Sequence, residues 1–300
     1  MIRKVVLSVL GFVLVSGVIL LAATVPARWQ IQHINPQLPD WTALDAALNQ
    51  PGGPLSLAYI NTASQATTLG ELGHPAIVID WPDGRRFLID TGMPPAQAQA
   101  FGKPMELLGA GPTRTFGAVD AQLGNAVQSV RGIAFTHLHS DHTAGLPGIC
   151  AAQSQAATVY QAPLQQKELN YTTEIGLAAL DDAVCPRAVL GEDVIMPVPG
   201  FPGLLAVSLG GHTPGSTLYA VRVAGKTWIF SGDITNDLRS LQEDIPKPWW
   251  YSTLVVPENV GRTAELRAWL KNLDAQPDVA VLPAHDVVAM AAAGLQGFNE

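Results

Sequence analysis

Within six residues, the segment Thr136-His137-Leu138-His139-Ser140-Asp141-His142 carries four side chains able to bind a metal ion. Residues two apart on an extended segment point the same way, so His137 and His139 can share one cation, while Asp141 and His142 turn toward a second. Neutral imidazole with carboxylate suits zinc-class divalent cations; iron, manganese or cobalt can take the same donors. Three further candidates stand elsewhere: His212 in Gly210-Gly211-His212-Thr213-Pro214-Gly215, Asp233 in Ser231-Gly232-Asp233, and His285 in Pro283-Ala284-His285. A lone histidine is more often a satisfied core or surface residue than a ligand. Here, however, five of the seven histidines join two aspartates, each segment following a predicted strand. Two cations about 3.5–4 Å apart can hold a hydroxide between them and polarise a scissile bond. The chemistry indicated is hydrolysis with solvent as the nucleophile.

Strands must position these residues. Leu57–Asn61, Ala76–Asp80 and Arg86–Asp90 read as strands, the last two joined at Asp83-Gly84. Val130–Phe135 is a further apolar strand. Leu205–Leu209, Thr217–Val223 and Thr227–Phe230 form a second cluster, its last two strands joined at Ala224-Gly225. Leu164–Ala183 reads as one helix, and Ala264–Leu273 as another that feeds a strand Val279–Leu282. Two similar halves of mixed elements imply sheets packed face to face with helices outside.

The chain has 300 residues, 48% hydrophobic and only 14% charged, with no internal repeat. Its 17 basic and 25 acidic side chains give a net charge of -8, which argues against nucleic acid as a partner. Arg3 and Lys4 precede the uncharged run Val5–Val25, long enough as a helix for a hydrocarbon core of about 30 Å. Residues 1–27 therefore read as a signal anchor or a cleaved signal peptide, sending the rest across the cytoplasmic membrane. Residues 28–54 read as a linker, and 55–300 as the catalytic domain. An exported chain leaves open both a Cys150–Cys185 disulfide and two separate thiols.

The His-x-His-x-Asp-His string, the Gly-His-Thr-Pro-Gly turn, the Ser-Gly-Asp turn and the late His285 together resemble the metallo-β-lactamase superfamily over about Leu57–Val288. That resemblance implies an α+β fold, a four-layer αββα sandwich preceded here by the N-terminal hydrophobic helix, with the site at the sheet edges. It implies that His137, His139 and His212 hold one metal, that Asp141, His142 and His285 hold the other, and that Asp233 bridges both. Asp141 would also hold the hydroxide. Asp90, in Ile89-Asp90-Thr91-Gly92, either orients a ligand histidine or caps a plain turn. True β-lactamases resemble the chain less at Asp233, and flavodiiron-type members less at His139. Lactonases of the superfamily carry a tyrosine just after the bridging aspartate, where this chain has Thr235, Asn236 and Asp237. Tyr251 and Tyr171 are the candidates to replace it.

The expected function is a dinuclear zinc hydrolase acting, through a metal-bridging hydroxide, on a small lactone, ester or thioester. The alternatives are a phosphodiesterase or phosphotriesterase on the same site and a noncatalytic metal-binding envelope domain. Pro246–Tyr251, with Trp249, Trp250 and Tyr251 adjacent, reads either as an apolar pocket wall or as a membrane-interface contact. The Leu164–Ala183 helix is the other candidate cap.

Overall fold

The computed structural model describes residues 24–68 and 70–298, together with 11, 15, 17, 18 and 22. The described residues form thirteen strands: β1 (Ser56–Thr67), β2 (Gly70–Asp80), β3 (Arg86–Ile89), β4 (Arg114–Thr115), β5 (Val130–Ala134), β6 (Thr158–Gln161), β7 (Arg187–Val189), β8 (Met196–Pro197), β9 (Leu204–Ser208), β10 (Thr217–Val223), β11 (Lys226–Phe230), β12 (Val279–Leu282) and β13 (Gln296–Gly297). They form two sheets. The first runs β13-β1-β2-β3-β5-β6-β7 with β4 paired to β1, and the second runs β12-β11-β10-β9-β8.

Strand alternation decides the layers, because successive side chains face opposite sides of a sheet. Ile77, Ile79, Phe87 and Ile89 of the first sheet meet Leu204, Ala206, Tyr219, Val221 and Phe230 of the second in one buried cluster. Their neighbours Val78, Leu88, Ile133 and Val159 point the other way, onto Leu123, Leu146, Ile149 and Leu180. On the outer face of the second sheet, Leu205, Val207, Ala220 and Ile229 pack on Leu44, Leu48, Leu266 and Leu270. Helix, sheet, sheet, helix is the four-layer αββα order expected.

Several elements differ from the expectation. β1 and β2 are 12 and 11 residues long, well beyond the predicted cores, and a bulge between Asn61 and Ser64 bends β1. The single helix predicted over 164–183 is two, Pro163–Lys167 and Tyr171–Asp182, because Asn170 caps the second, its side chain accepting from Thr172 N. The stretch read as a linker is packed: residues 24–32 are helical, and Trp41–Leu48 is a helix whose Leu44 and Leu48 are buried against the second sheet. Cys150 and Cys185 form a disulfide that ties the helix Leu146–Ala152 to the chain just past Asp182. Among the described residues no helix is long and apolar enough to cross a membrane, and the run Val5–Val25 lies largely outside those residues.

Candidate metal centre

Every predicted site residue lies just beyond a strand. Asp90 follows β3, His137 follows β5, His212 follows β9, Asp233 follows β11 and His285 follows β12. His139 precedes the short helix Ser140–Thr143, which carries Asp141 and His142 in one turn. Because the two sheets face each other, these ends converge. Gly232 makes the turn before Asp233 at φ +60°, where an added Cβ would sit 2.9 Å from Thr136 Cβ, so glycine is required on both backbone and packing grounds.

The seven ligand candidates do come together. His137 Nε2 lies 2.9 Å from His139 Nδ1, which lies 3.3 Å from His212 Nε2. Asp233 Oδ2 is 4.0 Å from His137 Nε2 and 3.7 Å from His212 Nε2. In the second group, His142 Nε2 is 3.6 Å from Asp141 Oδ2 and 3.5 Å from Asp233 Oδ1, and His285 Nε2 is 3.6 Å from Asp141 Oδ2 and 2.9 Å from Asp233 Oδ2. Two donors about 2.0–2.1 Å from one tetrahedral zinc lie roughly 3.4 Å apart, so these separations suit shared cations. Asp233 faces both groups, with one oxygen toward each of His142 and His285.

Four of the histidines also have the ring nitrogen that turns away from the centre engaged. His142 Nδ1 donates to Asp90 Oδ2 at 2.9 Å, His212 Nδ1 to Glu258 Oε1 at 2.5 Å, and His285 Nδ1 to Gly73 O at 2.7 Å. His139 is turned over: its Nε2 lies 3.2 Å from Thr172 Oγ1, leaving Nδ1 for the centre. An acceptor on one ring nitrogen fixes the tautomer and leaves the other nitrogen's lone pair free to bind a cation. Consistently, His142 Nε2 and Asp233 Oδ1 are buried without any hydrogen-bond partner. Orphaned buried acceptors of this kind are costly unless something fills the gap between them, so the donor set fits a pair of divalent cations.

Of the two roles left open for Asp90, the structure shows the contact with a histidine, since its carboxylate accepts from His142. Asp90 sits at φ +61°, a conformation a non-glycine residue adopts at a cost of about 1–2 kcal/mol, offset by hydrogen bonds from Thr136 N and Thr136 Oγ1, both 2.8 Å, and from His142.

The electrostatics divide the centre. Burial, with repulsion from neighbouring rings, holds His137 well below its ordinary value and His139 at about 3, and burial lowers His212. These rings are neutral and ready to ligate. Burial acts the same way on His142, but Asp90, Asp141 and Asp233 outweigh it and lift that imidazole to about 10. Burial would raise Asp141 and Asp233, yet the surrounding imidazoles hold both carboxylates below their ordinary value. The carboxylates thus demand positive charge at this point, which a proton or a divalent cation supplies.

Three participants escaped the sequence reading. His74, buried in the interior of β2, places Nδ1 3.2 Å from Asp141 Oδ2, and its ring meets that of His285 edge to face at 5.0 Å. His74, Asp141 and His285 can also converge on one ion. Glu258 holds His212 and in turn accepts from Lys247 Nζ at 3.1 Å and Ser252 Oγ at 2.5 Å. Burial would raise this carboxyl, but Lys247 and His212 bring it to about 2. Lys247 also donates to Asp233 O at 2.6 Å, tying the loop after β11 to the site. None of the three stands in a recognisable spacing; each is a single residue in an apolar or Pro-rich context.

Above the centre lies a cavity of about 470 Å³. Its floor is His139, Asp141, Asp233 and His285; Leu72, Phe101, Met105, Val255 and Val256 wall it, with Tyr251 among them. Phe101 and Met105 belong to the helix Pro95–Leu107, to which the sequence reading assigned no element. Tyr171 does not line the cavity; its hydroxyl reaches Val255 O at 3.5 Å. Tyr251 points its hydroxyl end inward, where burial and the charges of Asp233, Glu258 and Asp141 push the phenol well above its ordinary value.

Sandwich and site together define a metal-dependent hydrolase. A sequence profile of the metallo-beta-lactamase superfamily matches residues 69–285, and the chain belongs to that superfamily. No curated protein matches it. Among solved structures it is similar to an AiiA variant of B. thuringiensis with N-decanoyl-L-homoserine bound at the active site, at 13% identity and TM-score 0.59, covering 83% of this chain and 99% of that one. It is also similar to a probable metal-dependent hydrolase from Staphylococcus aureus, at 15% identity and TM-score 0.54, covering 78% and 90%. The dizinc quorum-quenching lactonase AidC is a third, at 11% identity and TM-score 0.52, covering 79% and 90%. At these identities the likeness is one of fold.

Proposed function

We propose that the protein is a dinuclear hydrolase of an ester-like substrate, a lactone, ester or thioester. The observation that carries this reading is the set of engaged outward-facing nitrogens, which leaves the inward donors of His139, His142, His212 and His285 aimed at common points shared with Asp233. His137, His139 and His212 would hold one divalent cation, and Asp141, His142 and His285 the other, with Asp233 between them. Zinc-class ions held there would lower the pKa of water and polarise the bond under attack.

The chain's own residues supply the rest. Asp141, pinned by His74 and flanked by His142 and His285, stays ionised on the cavity floor and orients the attacking water. Tyr251 keeps its proton at neutral pH, so its hydroxyl can donate to the developing oxyanion or the leaving oxygen from the cavity wall. Hydrolysis adds the hydroxyl of water to the acyl carbon as the C–O or C–S bond breaks, and the proton goes to the leaving atom. The apolar wall favours an acyl group over a charged phosphoester. Two of the proteins similar in fold are solved with N-acyl-homoserine molecules bound, which supports including lactones among the candidate substrates.

Export fits the same reading. The Arg3-Lys4 pair ahead of Val5–Val25 directs the following chain across the cytoplasmic membrane, and the Cys150–Cys185 disulfide suits an oxidising compartment. Metal-loaded full-length protein assayed in parallel on p-nitrophenyl esters, lactones, thioesters and bis-p-nitrophenyl phosphate tests the proposal. Carboxylic substrates should turn over faster; a preference for the phosphodiester, or metal binding with no turnover of any substrate, overturns it.

A further inference from the structure

We propose that the mouth of the cavity rests on a lipid bilayer and that the substrate is an amphiphilic ester drawn from it; the substrate half rests on the hydrolase reading above. The rim of the mouth exposes large apolar side chains, with Glu71 and Asp237 the charged residues of the adjoining groove. Leu107 and Leu108, about 81% and 80% exposed, end the helix whose Met105 lines the cavity. Leu108 shares a second groove of about 310 Å³ with Trp250 and Tyr251, and that groove meets the main cavity at Leu72, Met105 and Asn236. Beyond Tyr251 come the exposed Leu254 and Val255, and before it Trp249, 72% exposed.

Within 245–256 the sole charged residue is Lys247, and it is turned inward onto Glu258 and Asp233. A contiguous apolar surface of this kind marks an interaction site. Indole and leucine side chains at its edge are the composition of a membrane interface.

The chain's own continuity selects a bilayer over a second copy as the occupant. The helical residues 24–32 lie beside the rim: Asn259 Nδ2 donates to Ile31 O, Gln32 Nε2 donates to Glu258 O, and Gln30 Nε2 donates to Leu169 O, close to Tyr171 and its contact with Val255. Thr24, Ala27 and Ile31 face the protein, while Val25 and Trp29 face outward. This helix is entered directly from Val5–Val25, the uncharged run with the length and flanking cations of a membrane segment. An anchor ending here brings the rim, and with it the mouth of the cavity, to the lipid surface.

The test uses full-length protein reconstituted in phosphatidylcholine vesicles doped with lipid spin-labelled near the headgroup, comparing wild type with Leu254→Asp. Leu254 lines neither groove, and the variant keeps all seven tryptophans. Because Leu254 is half exposed, its melting temperature should stay within about 3 °C. The lipid should quench wild-type tryptophan fluorescence, and the variant should lose roughly half of that quenching as Trp249 and Trp250 withdraw while Trp29 stays. On a long-chain ester held in the vesicles the variant should lose about tenfold in kcat/KM, with p-nitrophenyl acetate unaffected. Equal quenching of the two proteins, equal loss on both esters, or a cross-link between two copies through the Trp249 loop overturns the bilayer seat. Differential quenching with neither ester hydrolysed leaves the seat standing and overturns the substrate half.

Discussion

The floor and the wall of the cavity are built on opposite principles. On the floor, the ring nitrogens that turn away from the centre are held by fixed partners: Asp90 holds His142, Glu258 holds His212, Gly73 O holds His285 and Thr172 meets His139. The wall offers apolar surface from three separate segments, the tip of the β1–β2 hairpin at Leu72, the helix Pro95–Leu107 and the loop 245–256, with Tyr251, Thr172 and Asn236 among its polar members. A hydrogen-bonded floor specifies chemistry, because donor geometry tolerates little displacement. An apolar wall specifies which substrate reaches that floor, and it tolerates change at a modest cost.

Substitutions on the two sides should therefore differ in size and kind. Asp233 faces both groups of candidate ligands, so Asp233→Ala should lower kcat by about a thousandfold or more and reduce bound metal, read by steady-state kinetics with elemental analysis. One layer out, Glu258→Gln should cost about 10–100-fold in metal affinity while the fold persists, measured by competition with a chromophoric chelator.

Glu258 also carries a pH signature. Its folded value of about 2 lies below the ordinary carboxylate value, so its contribution to stability is present above about pH 4.5 and is lost as pH falls toward 2. The wild type should lose roughly 1–3 kcal/mol more than Glu258→Gln across that window in denaturant melts. Equal acid sensitivity would remove Glu258 from the centre's support.

Tyr251 belongs to both regions, and Tyr251→Phe should lower kcat about 10–100-fold with little change in KM. A change in KM alone would make it plain wall. Phe101→Ala, purely on the wall, should give the smallest effect, about tenfold in KM for the preferred acyl length with kcat retained.

The same contrast governs what the sequence revealed. The floor was readable because metal ligation needs particular residue types at short spacings, and His137, His139, Asp141 and His142 have that spacing inside one segment. His212, Asp233 and His285 were readable because each sits on a short turn after an apolar strand. His74 was not, since a lone histidine between Gly73 and Pro75 inside a strand carries no pattern; the β1 bulge and the sheet register bring it to Asp141. Glu258 and Lys247 meet His212 only through tertiary packing of the chain after β11. On the wall, Trp249–Tyr251 stood out by composition, but the helix Pro95–Leu107 did not, because alanine and glutamine give no sharp apolar stripe. The face-to-face sheets followed from two similar halves of mixed strands and helices, and the four layers from the family resemblance, while the packed helix 41–48 passed as a linker because its Pro-rich surroundings masked a short helix that buries Leu44 and Leu48.

The central claim is that this floor holds two cations and that hydrolysis depends on both. Metal content per chain, measured on full-length protein alongside ester turnover during stepwise chelation and reloading, tests it most directly. The expected result is two zinc-class ions per chain, with activity lost on chelation and restored on reloading. Hydrolysis that persists in protein stripped of metal, or a chain that binds fewer than one ion at saturation, would contradict it.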